Sequence, residues 1–174
     1  MYIGHVGVAL AARRLRTRIG LLVLLVATYT PDWVDTGLCL AGGYDPREIL
    51  SHSIPAVLVF ALVGFTAYAF ATRDWTSALI ISLVMLSHLL LDWVTGYKPT
   101  WPGGPMIGLQ LYDNPAADFL AEGIVIFVGT LLYERTLPPR QRPWVDVSIM
   151  LGALLALQLT VDVAHMMMKT LPKC

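Results

Sequence analysis

Residues 75–95 read WTSALIISLVMLSHLLLDWVT. From Ala78 to Val94 the run is apolar except for Ser82, Ser87, His88 and Asp92. Twenty-one helical residues rise about 30 Å, the thickness of a bilayer's hydrocarbon core. The stretch therefore reads as a membrane-crossing helix, Trp75 to about Thr95. His88 and Asp92 stand four residues apart, one turn from each other on one helix face, so both can point at a single metal ion.

The rest of the chain repeats the pattern. Of its 174 residues 56% are hydrophobic and 14% charged, and its mean hydropathy is +0.65. A soluble domain carries about 25% charged residues. Lys plus Arg and Asp plus Glu are 12 each, which leaves no basic face for nucleic acid. Tyr2 to Ala12 is a short apolar helix extended through arginines. Ile19 to about Leu40 is a second helix whose far end Pro31, Asp32 and Asp35 should break. Ser51 caps a third, His52 to Thr72, with Pro55 in its first turn. After Trp75–Thr95 comes the longest loop, Gly96 to Pro115, then Ala116 to Glu134 and Trp144 to Met168. Five stretches are long enough to cross. The expectation is one all-α domain over residues 1–174, an integral membrane bundle of five to six transmembrane or re-entrant helices. Arg13 to Ala27 has the outline of a signal peptide, but apolar residues precede it and no soluble domain follows, so it reads as a retained hairpin. Cys39 and Cys174 match no metal spacing. They read as unpaired thiols, with a bridge open because both fall on one side.

Basic residues set the orientation. Arg13, Arg14, Arg16, Arg18, Arg73, Arg135, Arg140 and Arg142 fall at one end; Arg47, Lys98, Lys169 and Lys173 fall at the other. Eight against four puts the first end in the cytoplasm. Counted from that edge, His5, Asp32, His88 and Glu122 all lie about 18 to 20 Å deep, and His52 starts its helix on the same outer side. Acids and histidines at that depth cost a few kcal/mol each unless paired, solvated or bound to a cation. Imidazole and carboxylate together suit a divalent transition metal, zinc first and manganese second, as one ion or two. Metal ligands are expected from His5, Asp35, His52, His88, Asp92 and Asp118. Asp32 is the candidate base, and Glu122 acts with Asp118 as a second-site group. Asp162 and His165, near the end of the last helix, read as structural.

Gly4-His5, Pro31-Asp32-x-x-Asp35, Ser51-His52-Ser53 and His88-x-x-x-Asp92, followed by Thr95, Gly96 and a Trp101-Pro102 loop, resemble the membrane-bound metal-dependent hydrolases. That family includes the LexA-regulated inner-membrane hydrolases of bacteria, and the likeness covers roughly residues 1 to 130. It is similar in turn to zinc-dependent phospholipase C, in which a histidine-x-x-x-aspartate helix and a later histidine-x-x-x-glutamate pair hold a metal cluster. Asp118-x-x-x-Glu122 has that second spacing, with aspartate in place of histidine. The resemblance implies a metal-dependent hydrolase acting on a phosphoester or related bond of a lipid-like substrate at the outer leaflet of the inner membrane. Membrane lipids are then its surroundings and nucleic acid no partner. A metal or proton transporter, and a non-catalytic membrane protein with a structural metal, are the rival classes. An almost purely aliphatic cytoplasmic half argues against the transporter.

Overall fold

A computed structural model describes residues 2–42, 50–138 and 144–167. Its helices are α1 (Gly4–Leu15), α2 (Leu21–Leu40), α3 (Ile54–Thr72), α4 (Trp75–Thr95), α5 (Pro115–Glu134) and α6 (Trp144–Met167). A 3-10 turn, Leu50–His52, precedes α3. A two-residue hairpin, β1 (Lys98–Pro99) against β2 (Met106–Ile107), and a second 3-10 turn, Leu111–Asp113, lie between α4 and α5. Arg47, Arg140, Arg142, Met168, Lys169, Lys173 and Cys174 fall outside the described residues.

The helix starts follow local chemistry. Asp74 caps α4, accepting from the Ser77 amide at 3.1 Å and the Ser77 hydroxyl at 2.7 Å. Asn114 accepts from the Ala117 amide at 3.3 Å, and Pro115 opens α5 where no backbone donor is needed. Three expectations are corrected. The cap of α3 is Ser53, whose hydroxyl accepts from the Ala56 amide at 3.4 Å, so His52 sits in the preceding 3-10 turn. Pro31 does not break α2, which runs unbroken to Leu40. Just before Pro31 the hydroxyl of Thr30 donates back to the Val26 carbonyl at 2.8 Å, a bond within the helix's own preceding turn. Third, Cys39 is not a free thiol but disulfide-bonded.

Among the described residues four helices, α3 to α6, are long and apolar enough to cross a membrane. Helix α2 has the length, but its second half carries Asp32 and Asp35. Helix α1, at 12 residues, is too short to cross alone. It is packed against α5, α2 and α4. The contact with α5 is backbone to backbone: a Cβ at Gly7 would stand 2.5 Å from the Val125 carbonyl oxygen, and one at Gly129 would strike the carbonyl of Gly7. Small residues allow such an approach between membrane helices. The innermost layer is aliphatic, Leu24, Ala27, Ala61, Ile81 and Val84 among it. Helix α3 bares Leu58, Val59, Leu62 and Phe70, a face suited to lipid rather than water.

Helices α1, α3 and α5 end on the basic side, where Arg16 pairs with Asp74 at 3.1 Å. At the other end the loop after α4 folds back over the bundle. The Ile54 amide donates to the Thr100 carbonyl at 2.9 Å, and the Leu109 amide to the Trp93 carbonyl at 2.8 Å. This second end carries the polar residues.

Candidate metal centre

Helix α4 supplies His88 and Asp92, α2 supplies Asp32, and the turn before α3 supplies His52. One ligand atom from each of these four lies within 4.8 Å of the others. His52 Nε2 is 3.0 Å from Asp32 Oδ1 and 3.3 Å from Asp92 Oδ2. His88 Nε2 is 3.6 Å from both of those oxygens. His52, His88 and Asp92 are buried, whereas the Asp32 side chain is 36% exposed.

The tautomers are fixed from behind. His88 Nδ1 lies 2.7 Å from the carbonyl of Thr28. A carbonyl can only accept, so Nδ1 carries the proton and Nε2 presents a lone pair. That Nε2 is buried with no hydrogen-bond donor among the described residues, and the oxygens nearest to it are carboxylates. Lone pair facing lone pair in a buried site calls for a cation. His52 is held in the same way: its Nδ1 lies 2.9 Å from Ser51 Oγ, which donates to Asp35. Asp35 Oδ2 is itself 3.4 Å from Nδ1. Asp35 therefore stands behind His52, the place of a carboxylate that orients a metal-binding imidazole.

His5 adjoins the four without joining them. Its Nε2 is 3.2 Å from the second oxygen of Asp92, and its ring stacks on His88 with centroids 4.1 Å apart. Glu122 is placed elsewhere. Its two oxygens accept the amides of Tyr2 at 2.7 Å and Gly4 at 2.8 Å, capping the start of α1 and so fixing the approach of His5. Asp118 and Asp162 of α6 line one small pocket with Tyr2, Tyr112 and His165. Asp162 in turn accepts from Gln158 Nε2 at 2.7 Å, and Gln158 Oε1 accepts the Ile3 amide at 3.1 Å. Asp118, Glu122 and Asp162 thus make a second polar cluster that clasps the chain entering α1. His165, within 2.9 Å of the Tyr2 hydroxyl, adjoins it.

One residue of the centre escaped the sequence reading. Lys98, on β1, brings its ammonium to 3.2 Å from Asp92 Oδ2. Its sequence signal was only a lone cation in a proline- and glycine-rich loop. A cavity of about 440 Å³ opens on the centre, lined by Tyr29, Asp32, Trp33, His52, Asp92 and Lys98 among others. A second cavity, of about 250 Å³ between α1, α4 and α5, is aliphatic but for Ser87 and lies toward the basic end.

Two imidazoles and two carboxylates offer nitrogen and oxygen donors with a charge of −2, which a divalent transition ion neutralises. The donor set and the orphaned Nε2 of His88 fit such an ion. A family model described as the YdjM inner membrane protein matches residues 1–166. No curated protein and no solved structure matches the chain.

Proposed function

We infer that this chain, which belongs to the YdjM inner membrane protein family, is a metal-dependent hydrolase that cleaves a phosphoester or related bond of a lipid-like substrate. The observation that carries the reading is the buried, donor-less Nε2 of His88 among carboxylates. His52, His88 and Asp92 are the ligands, three protein groups as in catalytic zinc sites that keep a position open. Zinc suits them best. When bound, such an ion acidifies a water and polarises a phosphoryl oxygen.

The chain's own residues do the rest. Asp32, the one exposed member, faces the cavity and takes the proton of the attacking water. Asp35 and Ser51 hold His52 in its tautomer, and the Thr28 carbonyl holds His88. Lys98 balances negative charge on the substrate. A purely structural ion would need no 440 Å³ cavity beside it. Nor does a transporter fit, since the other half of the bundle holds an aliphatic cavity rather than a polar path. The excess of arginines at the far end supports an extracytoplasmic centre.

The test is metal analysis of the purified protein beside the His88→Ala variant, with turnover of phosphoester lipids in vesicles. The parent should hold a transition metal and release head group, and the variant should do neither. Full metal content in His88→Ala would remove the centre. A metal-replete parent with no turnover of any phosphoester lipid would leave a structural site.

A further inference from the structure

The 440 Å³ cavity has walls from two helices that pack chiefly on other helices. Helix α6 packs on α5, whereas α2 packs on α1 and α4. Yet the cavity is bounded by Trp33 of α2 and Val161 of α6, with Tyr2 between them. It is therefore a cleft between these two helices, with the segment before α1 bonded to both: Tyr29 donates to the Tyr2 carbonyl, and Gln158 accepts the Ile3 amide. Beyond Tyr29 and Thr30 on α2, the exposed side chains that continue each wall toward the bundle's middle are aliphatic. Val26 and Leu22 follow Trp33 at helical spacing on α2, and Leu157 stands one turn below Val161 on α6. Trp33, 62% exposed at the rim, has the amphipathic ring found at the head-group level of bilayers. The floor, in contrast, is charged.

The charge count at that floor singles out Lys98. Asp32, Asp35 and Asp92 contribute −3, a divalent ion +2 and Lys98 +1, so the loaded centre is neutral. A phosphate that arrives finds its positive partners in the ion and in Lys98, the one lysine or arginine among the described residues lining the cleft. We propose that the cleft between α2 and α6 is a side door for a membrane phospholipid with an exposed anionic phosphate, and that Lys98 is the residue that selects for that charge. The acyl chains stay in the bilayer against Val26, Leu22 and Leu157 while the head group crosses the rim to the floor. The selection deepens the hydrolase reading and rests on it for the cleavage step, but binding itself needs no turnover.

The experiment reads binding alone. Full-length protein with a benzoylphenylalanine in place of Val161 is reconstituted with zinc in phosphatidylcholine vesicles containing a minor share of phosphatidic acid. After illumination, the lipid adducts are identified by mass spectrometry and the metal content of the same sample is measured. Phosphatidic acid should be enriched in the adducts roughly tenfold over its share of the bilayer, the ratio that one charge-assisted hydrogen bond commands. Lys98→Met should return it to that share, and Lys98→Arg should keep it. Thermal transitions of both variants show that they are folded. Adducts at the bilayer share in the parent, enrichment that persists in Lys98→Met, or no adducts at all would overturn the proposal. So would adducts suppressed by soluble glycerol phosphate, which would make the ligand a free phosphoester. Enrichment without hydrolysis would keep the side door and remove the hydrolase; hydrolysis without enrichment would do the reverse.

Discussion

Replacing Glu122 by glutamine changes one atom's chemistry at a fully buried site. Glu122 accepts two amides, from Tyr2 at 2.7 Å and Gly4 at 2.8 Å, one on each oxygen. Glutamine offers a single acceptor, so its amide nitrogen must face one of these N–H groups, donor against donor. A bond to a charged acceptor contributes about 1.5 to 3 kcal/mol, and a buried donor left without a partner costs about 1 to 3 kcal/mol. The substitution should then destabilise the protein by about 2.5 to 6 kcal/mol despite its nearly unchanged size. The assay is equilibrium unfolding in mixed micelles, read by tryptophan fluorescence, with metal content measured on the folded fraction. Stability should fall while His52, His88 and Asp92 still hold their ion. Unchanged stability would refute the capping role. Loss of the metal from a protein of native stability would instead return Glu122 to the metal site as the second-site group the sequence suggests.

The same contacts lead to further expected outcomes. Gly129→Ala should cost about 1 to 3 kcal/mol by forcing α5 off α1, and wild-type resistance to denaturant would show that the backbones do not touch. Asp35→Asn should weaken metal binding about 10- to 100-fold without lowering its stoichiometry; an unchanged affinity in a chelator competition would take Asp35 out of His52's support. Asp74, at the start of α4, is held down to about 2 by the Ser77 hydroxyl and amide and then by Arg16. Its folded value is depressed, so its contribution is complete above pH 3.8, its ordinary value, and lost as pH falls toward about 2. Asp74→Asn should flatten the acid limb of a stability profile, and an unchanged limb would assign it to other carboxylates. For orientation, Pro102→Cys should react with impermeant thiol reagents in intact cells and Thr17→Cys should not; the reverse would turn the centre toward the cytoplasm.

What the sequence made legible was local. Helix α4 is bounded by a cap at Asp74 and a glycine at 96, so its limits and the His88–Asp92 face could be read directly. Ser51 and Ser53 are both plausible caps before Pro55, and the choice between them depends on the Asp35 that Ser51 meets 16 residues away. Pro31 reads as a helix breaker from its own chemistry, but it is buried against the bundle and α2 continues through it to Leu40. Asp118 and Glu122 share a face and a spacing with known ligand pairs. Glu122's partners, however, are amides about 120 positions earlier, and no periodicity within α5 points to them. Lys98 reaches Asp92 because the hairpin folds back onto α4, a tertiary event with no trace in its own neighbours.

The clasp between α1 and α5 also sets a timetable. A 12-residue helix carrying a buried histidine has no stable place in a membrane until Gly129, Glu122 and their neighbours arrive. Those residues leave the ribosome roughly 6 to 24 s after α1, at about 5 to 20 residues per second. During that interval the nascent chain holds His5 without its stacking partner and then His88 without a seated α1. Assembly of the centre is consequently a late event of biosynthesis, and chains that stop before α5 have no means of completing it.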